Sequence, residues 1–209
     1  MSIAVTHTRT FVGLRSVRPR IEPIRAVLLH WTGGNGGLER LFAVLRGTVG
    51  RKTPDGLSVH YGVDAAGFHE QWVPEDQVAL HAGLANEWTV GFEVTCPGFP
   101  GKAWNVERNR GVVRSEYTDR LHGRRVAMLG YTEAQYAKLR VLVREVCTRH
   151  GLPFDYPREA DGSLMRRCMT PAEWGSFRGV LGHYHVSPKR PGKGQKCDPG
   201  TEPFERLFK

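Results

Sequence analysis

Ala26-Val27-Leu28-Leu29-His30-Trp31-Thr32-Gly33-Gly34 is the stretch on which the fold turns. Its four leading apolar residues run without a polar break, which reads as a buried strand, and Thr-Gly-Gly breaks that strand into a loop. His30 therefore ends a strand whose backbone is fixed, in a position that faces a cleft. Working outward, Thr89 to Thr95 reads as another strand, and Ser58 to Val63 and Phe68 to Val73 as two more joined through Ala65-Ala66-Gly67. Leu38, Leu41, Phe42 and Leu45 recur at helical spacing and predict one amphipathic helix before Gly47. Thr132-Glu133-Ala134-Gln135 predicts a helix start, and the stripe Leu139, Leu142, Val143, Val146 continues to a stop at Gly151. Strands with flanking helices imply a mixed α/β sandwich. Met1 to Glu22 reads as an irregular basic lead-in, interrupted by Pro19, and residues 23–209 as the single folded domain.

Toward the other end, Gly182-His183-Tyr184-His185-Val186-Ser187-Pro188 is followed by Lys196-Cys197-Asp198-Pro199-Gly200. This places an imidazole, a cation and a hard oxygen ligand in one short segment. Catalytic zinc takes three protein ligands and keeps a fourth position open, so one further ligand must come from elsewhere, and His30 is the candidate. Cys197 is the alternative to Asp198, because thiolate is an excellent zinc ligand. His185, two positions after His183, shares its face if the segment is extended, as a rival ligand, a partner behind the ligands or a solvent-exposed ring.

His30-Trp31-Thr32, Ser58-Val59-His60-Tyr61, Leu80-His81-Ala82-Gly83, Asn86 through Glu93, Tyr131 through Tyr136, and Gly182-His183 through Lys196-Cys197-Asp198-Pro199-Gly200 occur in one order. Together they resemble the zinc-dependent N-acetylmuramoyl-L-alanine amidases of the amidase-2 type. The resemblance runs from Ala26 to Gly200 and skips Pro97 to Gly130 and Leu152 to Gly179. It implies the amidase fold, a single α/β domain with a central mixed β-sheet flanked by helices, with Zn2+ held by His30, His183 and Asp198, proton transfer by Glu93, and Lys196 steadying negative charge on the substrate. The alternative for Lys196 is a solvated basic loop, since it ends the run Lys189 to Lys196. His60, His81, Trp31 and Asn86 lie in matched segments, with substrate contact and core packing both open to them. His183 and Asp198 stand fifteen positions apart, a longer gap than the family motif, so the loop between them carries an insertion.

The chain has 209 residues, enough for one sizeable core. Its formal charge of +9 favours an acidic partner. The charge by itself does not choose between nucleic acid and an anionic bacterial wall; no recognisable nucleic-acid-binding motif accompanies it, and the resemblance implies bacterial peptidoglycan, with its anionic wall polymers, as the partner rather than specific nucleic acid. No run approaches a membrane span, the first ten residues lack the pattern of a secretory leader, and four cysteines at 96, 147, 168 and 197 show no paired spacing. The expectation is a monomer made in a reducing cytoplasm. Under the resemblance it acts as a phage-type lysin released onto the wall; the alternatives are a cytosolic muropeptide-recycling amidase and a non-catalytic peptidoglycan binder. The skipped stretches are expected to shape the cleft, bind wall polymer or decorate the surface, the first carrying Arg108, Arg110, Arg114, Arg120, Arg124 and Arg125.

Overall fold

The structure, a computed structural model, describes residues 10, 17–47, 56–189, 191 and 194–209. In chain order come β1 (Val17–Pro19), β2 (Ala26–Trp31), α1 (Leu38–Leu45), β3 (Tyr61–Val63), β4 (His69–Gln71), β5 (Gln77–Ala79) and β6 (Thr89–Val94). They are followed by α2 (Lys102–Asn109), β7 (Glu116–Leu121), β8 (Arg124–Leu129), α3 (Glu133–Arg149), α4 (Pro171–Ser176), β9 (Gly179–Gly182) and α5 (Glu202–Leu207). The central sheet has the order β4-β3-β6-β2-β9. It is mixed: β3, β6, β2 and β9 run parallel, and β4 is antiparallel to β3.

The unbroken apolar run of β2 follows from its place inside this sheet, between β6 and β9 and covered on both faces. Val27 and Leu29 pack with Val90, Phe92, Val94 and Val180 against Leu139, Val143 and Val146 of α3. Ala26 and Leu28 point the other way, onto Ala85, Trp88, Met165, Met169 and Leu181. On α1, Leu38, Leu41 and Phe42 bury against Val59, Trp72, Val73 and Ala79. α3 opens with a capping box: the Thr132 hydroxyl accepts from the Gln135 amide at 3.1 Å, and the Gln135 side chain accepts from the Thr132 amide at 3.0 Å.

Three sequence expectations change. Strands β3 and β4 are shorter than the expected Ser58–Val63 and Phe68–Val73, because the amides of Trp72 and Val73 both turn to the one carbonyl of His60 and regular pairing stops there. The lead-in is not wholly irregular: Val17–Pro19 pairs antiparallel with β5, and Pro19 is tolerated in a two-stranded sheet, where every strand is an edge. Residues 1–9 and 11–16 of that lead-in lie outside the described residues.

The third change concerns the skipped stretches, which are built structure rather than loose loops. Residues 97–130 form α2 and the β7–β8 hairpin. Arg114, one of the arginines of the first stretch, is buried there and bonds Glu107 of α2, the carbonyls of Thr95 and Gly130, and the Gln135 side chain. Residues 152–179 hold α4, with a capping box of its own between Thr170 and Glu173, and place Met165 and Met169 beneath β2 and β9.

Candidate active site

Strand register assembles the site. His30 pairs with Glu93 across β2 and β6, and Leu29 pairs with Gly182 across β2 and β9, so His183 is the next residue beyond β9. Alternation then sends His30, Glu93 and His183 to one face, the face already taken by Leu28, Gly91 and Leu181. All three stand at the carboxyl ends of adjacent parallel strands, where open α/β sheets leave a crevice for ligands. Asp198 comes from the far side of the long loop and is clamped there, since the Tyr184 amide donates to its carbonyl at 3.1 Å. Gly182 permits the approach, because a Cβ on it would lie 2.7 Å from Pro199 Cδ. The fifteen-residue gap is thus closed by backbone contact. Residues 190, 192 and 193 within it lie outside the described residues.

His30 Nδ1 is 3.1 Å from His183 Nδ1 and 3.1 Å from Asp198 Oδ2, and His183 Nδ1 is 3.0 Å from the same oxygen. One shared carboxylate oxygen and two imidazole nitrogens therefore form a nearly equilateral triangle. With Asp198 ionised, no arrangement of protons satisfies all three edges. With both Nδ1 atoms protonated, two N–H groups oppose each other; with either bare, a lone pair faces a lone pair or the carboxylate. A small cation between them satisfies all three at once, and two imidazoles with one carboxylate is a donor set that zinc favours. Burial lowers His30 to about 4 against the opposing pull of Asp198, so the ring is neutral, as a ligand must be. Asp198 is buried too, yet the charge and hydrogen bonds of His183 and His30 hold it well below the usual carboxylate range.

Glu93 lines the same cleft, of about 630 Å³, together with Trp31, Phe99, Leu41, Val44 and Lys196. Burial, reinforced by the Asp198 charge and opposed by Lys196, pushes the Glu93 carboxyl up to about 8. A carboxyl so displaced at a pocket wall is suited to exchanging a proton near neutrality. Lys196 is exposed at the cleft edge, and its loop is held by its amide donating to Ser187 Oγ at 3.0 Å.

A family comparison matches residues 20–201 to the amidase-2 family, described as N-acetylmuramoyl-L-alanine amidase. The chain belongs to that family. Among solved structures, the selenomethionine derivative of AmpD is 21% identical with a TM-score of 0.54, over 98% of this chain and 96% of that one. AmiD from E. coli, solved with the substrate anhydro-N-acetylmuramic acid-L-Ala-D-γ-Glu-L-Lys, is 20% identical with a TM-score of 0.52; 88% of this chain aligns with it but only 56% of AmiD's own length. AmpDh3 from Pseudomonas aeruginosa is 18% identical with a TM-score of 0.52, over 100% of this chain and 65% of that one. A comparison with curated proteins finds no match. At these identities the structures establish the fold, the mixed α/β amidase architecture.

The remaining sequence candidates separate by what their atoms touch. His60 is fully buried; its Nδ1 accepts from the Gly91 amide and its Nε2 meets the Gln77 carbonyl, which leaves nothing for a substrate. Asn86 spends its Oδ1 on the amides of His81 and Ala82 and orders that loop. Trp31 lines the cleft, packed edge-on against Phe99 at 4.9 Å between ring centres. Cys197 packs against the main core and falls outside the one group of three ligand-type residues among those described, which is His30, His183 and Asp198. His185 is neither rival ligand nor exposed: residues 183–186 form a 3-10 turn rather than an extended segment, so the ring rotates into the core. There it accepts from the Gly182 amide and bonds the Met165 carbonyl. Sequence reading missed Tyr131, whose hydroxyl donates to the His30 carbonyl at 2.8 Å and pins the strand end from the segment just before α3. A tyrosine directly before a helix-start box was the available clue.

His185 carries a stability prediction. Burial lowers it to about 3, so the folded protein cannot take up the proton that an unfolded histidine binds near pH 6.5. Its contribution is complete above pH 6.5 and is lost as pH falls. Between pH 7.5 and pH 5 the stability gap between the parent and His185→Asn is expected to narrow by about 2 kcal/mol in urea titrations. A gap constant across that range would show that the ring is protonated in place.

Proposed function

We propose that this chain is a zinc-dependent N-acetylmuramoyl-L-alanine amidase that hydrolyses the amide between the lactyl group of N-acetylmuramic acid and L-alanine in peptidoglycan. The observation that carries this reading is the meeting of His30, His183 and Asp198 within 4.8 Å, with the raised Glu93 carboxyl on the same cleft. Zinc bound by those three residues supplies Lewis acidity toward a carbonyl and a water. Glu93 accepts the proton of the attacking water as its oxygen bonds the carbonyl carbon. When the C–N bond breaks, Glu93 returns that proton to the departing alanine nitrogen. Lys196, a compact cation at the cleft edge, balances the charge that develops on the carbonyl oxygen. Trp31 and Phe99 form an apolar wall suited to a sugar or peptide face.

Within this activity a phage-type lysin acting on intact wall is the reading favoured, because the net charge of +9 suits an anionic wall. Arg120 and Arg125 stand directly opposite each other on the exposed face of the β7–β8 hairpin, and among the described residues no acid forms an ion pair with either guanidinium. Like charges so placed destabilise a hairpin, which makes a polyanionic wall polymer a natural counterpart. Muropeptide recycling is the alternative, and substrate form separates the two: intact sacculi against soluble anhydro-muropeptides. No helix among the described residues is long and apolar enough to cross a membrane.

Mass analysis of sacculus digests tests the bond. New L-alanine amino termini without new reducing sugar ends are expected, and new reducing ends would refute the assignment. A strong chelator is expected to lower hydrolysis to background and stoichiometric zinc to restore it; activity that survives chelation removes the metal from the reading.

A further inference from the structure

We propose that His81 is a positioning residue that fixes the tautomer of His30, presenting the bare Nδ1 of that ring to the metal. This rests on the reading of His30 as a ligand given above. The argument is a proton count along a chain of hydrogen bonds. The Thr89 hydroxyl donates to the Ala85 carbonyl at 2.7 Å, which leaves its oxygen free only to accept. His81 Nε2, 3.3 Å away, must then carry the hydrogen of that contact. A neutral imidazole protonated at Nε2 is bare at Nδ1. His81 Nδ1 therefore accepts from His30 Nε2 at 2.9 Å, and with that nitrogen protonated the His30 Nδ1 is bare. This is the atom that faces His183 and Asp198.

The seat of His81 is built for one orientation. Its backbone is held by Asn86, whose Oδ1 accepts from the amides of His81 and Ala82 at 2.9 and 2.6 Å. Its ring lies over Gly91 so closely that a Cβ there would sit 2.6 to 2.9 Å from three ring atoms. The His60 ring meets it edge-on, 5.8 Å between centres. The whole run from His81 to Gly91 thus serves one imidazole: Asn86 sets its backbone, Thr89 its proton and Gly91 its space. Partners behind metal ligands commonly govern affinity in this way.

Two measurements test it. In the zinc-loaded parent, two-bond 15N–1H correlation spectra are expected to show His81 protonated at Nε2 and bare at Nδ1; a proton on His81 Nδ1 overturns the inference without any variant. Zinc affinity by chelator competition is expected to fall about 10- to 100-fold in His81→Ala. It should recover largely in His81→Asn, whose Oδ1 stands where Nδ1 accepts. Affinity within twofold of the parent in His81→Ala overturns the inference while leaving the zinc reading intact. A parent that binds no zinc overturns that reading instead.

Discussion

Glu93→Gln is expected to retain zinc at the parent stoichiometry while kcat falls about 10²- to 10⁴-fold, the range for removing a positioned general base. The substitution keeps shape and removes only the capacity to take a proton, so a loss in kcat with intact metal isolates that capacity. The raised carboxyl adds a pH signature. Glu93 is pushed up to about 8 when the triad carries no cation, and a bound dication favours its ionised form. The acid limb of the parent kcat/KM profile is therefore expected above the ordinary carboxylate value of 4.5 and below about 8, activity falling as pH falls and the base is protonated. Turnover of intact sacculi by Glu93→Gln at the parent rate would remove Glu93 from the mechanism.

The second large effect lies away from the cleft. Arg114→Met is expected to destabilise the fold by about 3–5 kcal/mol, because it strands the Glu107 carboxylate, 4% exposed, without its cation. Arg114 bonds that carboxylate through Nε at 2.7 Å and Nη2 at 3.2 Å, and spends its other donors on Gly130, Gln135 and Thr95 at 3.2, 2.9 and 3.0 Å. One guanidinium therefore joins α2, the start of α3 and the end of β6, two residues past Glu93. Replacing both partners, Glu107→Leu with Arg114→Met, is expected to cost less than Arg114→Met alone, since no charge is left buried. Equal urea midpoints for the parent and Arg114→Met would show that Glu107 finds water or another donor.

What the sequence determined is the part written in local patterns. The apolar run into His30, the helical spacing from Leu38 to Leu45 and the Thr132–Gln135 box each encode their own element, and α1, β2 and α3 lie where those patterns place them. The resemblance also named the three side chains that meet, where residue chemistry by itself left Cys197 open beside Asp198. Tertiary structure decided everything that depends on which strand lies beside which. Register alone sets Glu93 next to His30 and His183 one step beyond Gly182, and no periodicity within a single segment contains that information. Histidines of equal appearance in the chain took unequal duties: His60 and His185 bond the backbone inside the core, while His81 reaches back to His30. Arg114, one arginine among many, became the centre of a buried network. A side chain's partner is fixed by packing across long sequence separations, and only the folded chain brings those partners within hydrogen-bonding reach.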